Sequence, residues 1–420
     1  MISSKLFIWL KKQRKLQKIN VTKVNLDSLK KWKINNREIF HTSKKFFKII
    51  GIRIQSNFYK KNWDQPIILQ NEIGILGIVK NFKTNKYLLQ AKAEPGNINK
   101  IQISPSVQAT KSNYTRVHGG KRIPYINFFV KKNKNFSLQS EQAFRYFNKL
   151  NSNIISLVSK KIKLEKSFRW FSKKELINLI NKKNLINMDT LSVFSCFIKK
   201  NKIDVPLNSN KLVTKWSFHL NKKFYLKTKI IKISALKSWV MSKNKLSHVK
   251  TNFFSVVGIK TKTNHREINE WFQPIIQGSK LSFAGFIRKK FNNTEHYLCR
   301  YILKPGSKTN TFSCSVNTSN FHSFKRNNYL TIFQKKLISK YFLNKKIKKI
   351  YNNTLSDEGG RFYHSQIKYI ACELKEGENL NLPFNYIWLS SNQIIDLIKK
   401  RKIDIEARLL FGILNFKGII

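Results

Sequence analysis

The residues best placed to do chemistry are crowded into one stretch, Gln90 to Gly120. It holds Gln90, Lys92, Glu94, Gln102, Ser104, Gln108, Thr110, Lys111, Ser112, Asn113, Tyr114 and His118, and closes on Gly119 and Gly120. In an extended strand Gln90, Lys92 and Glu94 stand at i, i+2 and i+4 and project from one face. Polar groups gathered there must meet water, one another or a ligand, because an unpartnered polar group is costly to bury. Two readings follow: a solvated sheet face, or a site that gathers a carboxylate, an amine and an amide. A second cluster runs from Ser356 to His364 and contains Glu358, Gly359, Gly360 and Arg361. Paired glycines let the backbone approach a ligand closely, and an Arg forks onto phosphate; a surface turn is the plainer reading. His118 and His364 lie in polar, Gly-flanked segments, whereas His41 and His248 precede Phe-Phe strands and suit packing. There is no Walker loop, G-x-G-x-x-G, H-E-x-x-H or G-x-S-x-G. Cys196, Cys299, Cys314 and Cys372 are widely spaced, with no C-x-x-C, so neither a zinc site nor a disulfide framework is expected and a reducing, cytoplasmic setting is favoured.

These clusters must be positioned by a fold that the chain states twice. Leu29, Trp32, His41, Phe46, Phe47, Gly51 and Ile52 all recur 207 residues later. Trp63-x-Gln65-Pro66-Ile67-Ile68 recurs at Trp271 to Ile276, and Tyr87-Leu88 before Glu94-Pro95-Gly96 recurs as Tyr297-Leu298 before Lys304-Pro305-Gly306. All eight Trp pair off, as Trp9/Trp216, Trp32/Trp239, Trp63/Trp271 and Trp170/Trp388, at separations of 207, 207, 208 and 218. The chain is a tandem duplication. The expected boundary lies near residue 200, in the polar stretch Lys199 to Lys202, giving domains 1–200 and 201–420. Because Trp9 has a partner, the amino terminus is expected to be part of the fold rather than a presequence. The Leu6–Leu10 apolar run is far shorter than a membrane span of about 20 residues. Residues 46–54, 72–82 and 87–94 read as strands. Ser172 with Glu175, and Ser390 with Gln393, read as capping boxes that open amphipathic helices. Each unit is therefore α+β, with a mostly antiparallel sheet and a few helices.

Composition bounds the partners. The chain has 420 residues, 82 Lys+Arg against 21 Asp+Glu, and a formal charge of +61. With 41% hydrophobic and 13% aromatic residues it has ample material for large cores and is not a disordered basic tail. The charge alone admits an RNA-binding or ribosome-associated protein. However, 68 Lys accompany only 14 Arg, and 45 Asn are present. Lys, Asn, Ile and Phe are the residues of A+T-rich codons, and the scarcity of Arg argues against dedicated phosphate recognition.

The run from Gln70 to Phe82 and from Tyr87 to Phe129 resembles the NDP-hexose 2,3-dehydratases of 2-deoxysugar biosynthesis. So do the SEQ (140–142), RWFS (169–172) and NLINMDTLSVFSCF (184–197) segments of the first copy, and DEGGRFYH (357–364) and IDIEARLLFGIL (403–414) of the second. The likeness spans nearly the whole chain. It implies two Nudix-like α+β units per chain, a homodimer, and a nucleotide-sugar pocket in each unit. Neither copy has a Nudix box, so no magnesium hydrolysis is expected, and neither a metal nor a redox cofactor is implied. The implied reaction removes water across carbons 2 and 3 of a dTDP-4-keto-6-deoxyhexose. A reductase or aminotransferase would then consume the 3,4-diketo product; no nucleic-acid or membrane partner is implied.

Such a reaction needs a base for the carbon-3 proton, donors for an enolate, and an acid for the departing hydroxide. Within the resemblance, Glu94 and His118 are the expected acid/base pair, with Tyr114, Glu358 and His364 as substitutes. Thr110, Lys111, Ser112, Asn113 and Tyr114 are expected to bind sugar and diphosphate. Trp32 and Trp239 either stack on the base, worth ~1–3 kcal/mol, or pack in the core, while Trp63 and Trp271 are expected in the core. Glu94 becomes Lys304 in the second copy, and Gln90 becomes Arg300. That copy is accordingly expected to bind nucleotide without catalysis, through Arg300, Val316, Asn317 and Thr318, with Glu358, Gly359, Gly360 and Arg361 in its pocket.

Overall fold

The computed structural model describes residues 4–117, 119–130, 135–250, 253–278 and 281–420. Both repeats open on a helix, Ser4–Leu16 and Asn210–Lys223, which carry Trp9 and Trp216. Trp32 and Trp239 each begin a short strand, and Trp63 and Trp271 sit in matching long strands. Trp170 and Trp388 lie in the strand that precedes a capped helix. The duplication read from the Trp spacing, and the α+β class read from the strand runs and capping boxes, are what the chain adopts.

The branched and aromatic runs form the strands Lys48–Ser56, Gly74–Asn81 and Lys86–Ala93, as their β-propensity predicts. Both capping boxes close: the Ser172 and Ser390 side chains accept from the backbones of Glu175 and Gln393, whose side chains bond back. Among the described residues the strands make two six-stranded and two seven-stranded sheets. Most neighbours run antiparallel, but every sheet contains one parallel pair, such as Leu150–Val158 beside Gly74–Asn81. Among the described residues no helix is long and apolar enough to cross a membrane.

The six-stranded sheets are assembled from both repeats. Ile19–Val24 pairs with Ser255–Thr263, and reciprocally Leu226–Ile231 pairs with Lys48–Ser56. This exchange explains the repeated Gly51 and Gly258. A Cβ on Gly51 would lie 3.0 Å from Ile231 O, and one on Gly258 would lie 2.7 Å from Val24 O. Trp32 Nε1 donates to Phe272 O at 2.7 Å, and Trp239 Nε1 donates to Asp64 O at 2.8 Å. Between the sheets lies a shared core, with Leu29, Phe47, Ile68 and Tyr146 from one repeat and Leu236, Trp239, Phe254 and Phe362 from the other. Each fully buried apolar side chain of this size contributes about 1.5–3 kcal/mol. The two repeats are therefore interlocked, and a site between them draws on both.

Candidate active site

A cavity of about 820 Å³ lies against the seven-stranded sheet of the first repeat and is walled on one side by the second. Strand Lys86–Ala93 carries Lys92 into it, and the turn that follows brings Glu94. This turn is clamped from the other repeat: Gly96 N donates to Gly359 O at 2.7 Å, and His364 N donates to Gly96 O at 3.0 Å. Glu94 is 5% exposed. Its Oε1 lies 3.3 Å from Lys92 Nζ and 3.9 Å from an Arg266 nitrogen, and it accepts from Gln108 Nε2 at 3.2 Å. Gln108 in turn accepts from Lys92 and from Asn187. Glu94 Oε2 is buried with no hydrogen-bond partner among the described residues, a deficit that a ligand would meet.

Among the described residues five more carboxyls line the same cavity: Glu267, paired with Arg266, the exposed Glu270, and the three that follow. Asp189 sits in the first turn of helix Met188–Cys196, capped by Asn187, and is pushed well above the usual carboxyl range by burial and by Glu358, Glu141 and Glu94. Glu141 is pushed up to about 7 by burial, with Glu358 and Asp357 adding to it. Glu358 is raised by burial and by Glu94, against the pull of Arg361 and of the Tyr146 hydroxyl. Burial lowers Lys92, against the pull of Glu94, and brings Lys149 down to about 8. Crowded, dry carboxyls of this kind cannot all ionise, so some hold protons near neutral pH. Ion pairs this deeply buried are weak sources of stability, which favours a functional account of them. The mouth is different: exposed Lys30 and Lys31 flank it beside the half-buried Trp32 and Trp271, while Arg266 and Arg361 lie further in, near Glu94 and over Phe47. Among the described residues no group of three or more His, Cys, Asp or Glu is placed to hold a metal ion.

The expected site residues divide. Glu94, Thr110, Asn113, Trp32, Glu358, Gly360 and Arg361 come together at this cavity. His118 lies outside the described residues. Lys111 and Ser112 line a neighbouring hollow with Lys44, Lys45 and Lys48, and Ser112 is tied to Glu72 through its N–H and hydroxyl. Tyr114 packs on the cluster around Ile75 and Val79. Gln90 shares the face of Lys92 but spends its amide on Pro105 O. His364 stacks on Tyr363 away from the cavity.

Several expectations for the second repeat are corrected. The Glu358–Arg361 run belongs to the same cavity as Glu94, not to a separate second pocket, because the interlocked repeats deliver each loop to the opposite sheet. Trp239 is 8% exposed and edge-on to His248 in the shared core, so it has no face to offer a base, whereas Trp271, expected in the core, lines the cavity. Val316 is fully buried, Asn317 accepts from Arg300, and Thr318 accepts from Asn327, so this group is engaged with the protein itself. Lys304, at the position of Glu94, is locked between Asp404 and Glu406 at 2.9 Å each.

Sequence reasoning passed over Asp189, Glu141, Tyr146, Lys149 and Arg266. The first two sit inside the NLINMDTL and SEQ segments that carried the resemblance, which was the available signal. Tyr146, Lys149 and Arg266 had none.

The raised Glu141 makes a signed prediction. A carboxyl whose folded pKa exceeds its unfolded value of 4.5 stabilises fully below that value, and the contribution is lost as pH rises to about 7. Histidines lowered by burial, such as His265, act in the opposite sense below 6.5, so only a comparison isolates the carboxyl. The stability of Glu141→Gln relative to wild type, followed by its melting temperature, is expected to climb between pH 5 and pH 8, by on the order of a few kcal/mol in total. A pH-independent difference in a melting series would contradict it.

Taken together, a dry cluster of carboxyls and amines beneath a cationic, aromatic-lined mouth is an arrangement suited to proton transfer on an anionic ligand. The family model for NDP-hexose 2,3-dehydratases matches residues 3–197 and again 210–414, and the chain belongs to that family. It is 27% identical, over 97% of its length and 90% of the relative's, to a dTDP-4-dehydro-6-deoxy-alpha-D-glucopyranose 2,3-dehydratase of Saccharopolyspora spinosa. A protein of the same name from Amycolatopsis orientalis is also 27% identical, over 97% and 89% of the two chains. Among solved structures, a C. elegans Ap4A hydrolase aligns over 33% of this chain and 96% of its own, with a TM-score of 0.22 and 14% identity. An ADP compounds hydrolase aligns over 44% and 99%, with a TM-score of 0.25 and 12% identity.

Proposed function

We propose that this chain removes water across carbons 2 and 3 of a dTDP-4-keto-6-deoxyhexose, with Glu94 as the base. The observation that carries the reading is the cavity's two-part character. Carboxyls and amines lie at the buried end, where a ketosugar would need them, and cations flank the mouth, where a diphosphate would lie. The C4 ketone acidifies the carbon-3 hydrogen, and the carbon-2 hydroxyl is β to that ketone. Glu94 removes the proton, and Lys92 and Lys149 are the cations available to steady the enolate oxygen. The names of the relatives supply the dTDP sugar. Trp32, edge-on to His41 and tilted against Phe47, offers an aromatic surface for the base. The same reading extends to Nudix-like units spanning 1–200 and 201–420, a homodimer in the cytoplasm, and a downstream reductase or aminotransferase acting on the product.

Incubation with dTDP-4-keto-6-deoxyglucose, alone and with a 3-ketoreductase, is expected to yield a product lighter by one water in mass spectrometry. Tight, salt-sensitive heparin binding with no effect of the sugar nucleotide would instead favour the RNA-binding alternative.

A further inference from the structure

Elimination needs a proton donor at the departing hydroxyl as well as a base, and stereochemistry constrains where it stands. In a gluco-configured 4-ketosugar the carbon-3 hydrogen and the carbon-2 hydroxyl lie on the same face of the ring. Base and acid must therefore approach from one side and flank one small space. Such a space exists beside Gly360: a Cβ built there would lie 3.2 Å from Glu358 Oε1 and 3.7 Å from Glu94 Oε1. The glycine keeps the gap between the two carboxyls free of side-chain atoms. The Tyr146 hydroxyl donates to Glu358 Oε2 at 2.5 Å, which fixes the carboxyl and leaves Oε1 to carry a proton toward that gap.

Resting on the dehydratase reading, we propose that Glu358, contributed by the second repeat, is the general acid that protonates the carbon-2 hydroxyl as it leaves, and that Tyr146, from the first repeat, is its positioning residue. Glu94 takes the carbon-3 proton, and the C–H electron pair becomes the carbon-3–carbon-4 double bond of the enolate. When the carbonyl re-forms, that pair moves to carbon 2–carbon 3, the C2–O bond breaks, and the Glu358 proton completes a water molecule. No electrons enter or leave, and Glu94 ends protonated with Glu358 ionised. Burial and the neighbouring Glu94 raise Glu358 against the pull of Arg361, the direction a proton donor needs.

The second repeat supplies an independent observation. Gly306 N donates to Ala143 O as Gly96 N donates to Gly359 O, which aligns Gln142 with Glu358 and Phe144 with Gly360. At the mirrored site base, acid and gap are all replaced, by Lys304, Gln142 and Phe144. The three features are present together or absent together, as members of one device would be.

The test separates the two proton transfers. In D2O with dTDP-4-keto-6-deoxyglucose, Glu358→Gln is expected to exchange deuterium into carbon 3 at close to the wild-type rate. Its loss of water should fall by at least ~10²-fold, the lower range for general acid catalysis. Elimination within tenfold of wild type overturns the assignment, as does a folded variant that loses exchange and elimination together. Should the Gln variant not fold, Tyr146→Phe reads the same split: elimination lowered with exchange retained supports the assignment, and unchanged elimination overturns it. A wild-type enzyme inert in both measurements overturns the dehydratase reading and the acid role with it, an outcome distinct from either variant result.

Discussion

Glu94→Gln is expected to lower turnover by roughly 10²–10⁴-fold, the range typical of losing a positioned base, with little loss of fold. The amide keeps the shape of the carboxylate and still offers an oxygen to Gln108, which donates to Glu94 Oε1 at 3.2 Å. What it cannot do is accept the carbon-3 proton. The hazard is Lys92, whose ammonium is 3.3 Å from the same oxygen with both side chains almost fully buried. A buried charge left alone is expensive, but burial already pushes Lys92 toward its neutral form, so it can shed its proton instead. A circular-dichroism melt close to wild type, beside product formation followed by mass spectrometry, checks both halves. Turnover within tenfold of wild type would remove Glu94 from the reaction. Carbon-3 deuterium exchange should vanish in this variant while persisting in Glu358→Gln, so the two carboxyls separate experimentally.

The second large effect is expected from Gly360→Phe, which copies into the cavity what the second repeat has at Phe144. There the aromatic ring lies 5.6 Å from Lys304 Nζ, and the Lys304 side chain is only 2% exposed between Asp404 and Glu406. A Phe at 360 would occupy the gap between Glu94 and Glu358 and exclude the sugar. Turnover should be abolished and stabilisation by substrate in a thermal-shift assay lost, while the melting temperature without ligand stays near wild type. Gly360→Ala should be milder, since its Cβ meets the far ends of two flexible side chains, Glu358 at 3.2 Å and Glu94 at 3.7 Å. A Phe variant that turns over normally would show that the sugar lies elsewhere in the cavity.

The Trp pairs and the capping boxes were legible because they are local: a helix cap spans four residues, and a repeat is a comparison of the chain with itself. Glu94 was legible for a similar reason, since strand alternation put it on the face of Lys92 at the end of its own strand. The strand exchange was not. Nothing within Ile19–Val24 says that its backbone pairs with Ser255–Thr263 rather than with its own repeat, because main-chain hydrogen bonds are the same whichever strand supplies them. Sequence proximity therefore points the Glu358–Arg361 loop to its own repeat's pocket, although it closes the cavity of the other. Glu141, Tyr146, Lys149 and Asp189 were scattered over nearly fifty positions, and no spacing rule joins side chains from loops, a short strand and a helix terminus.

The excess of Lys takes its meaning from the same source. Most of it covers solvated faces, but Lys30 and Lys31 stand at the cavity mouth, where they favour a diphosphate. By itself the sequence determined the duplication, the α+β class and the family, since these rest on local pattern and self-similarity. Tertiary structure alone decided that the two repeats share one cavity, which carboxyls face each other across Gly360, and that Phe144 and Lys304 stand together at the equivalent place of the second repeat. Those outcomes depend on contacts between residues far apart in the chain, which become neighbours only when the exchanged strands and the shared aromatic core bring the repeats together.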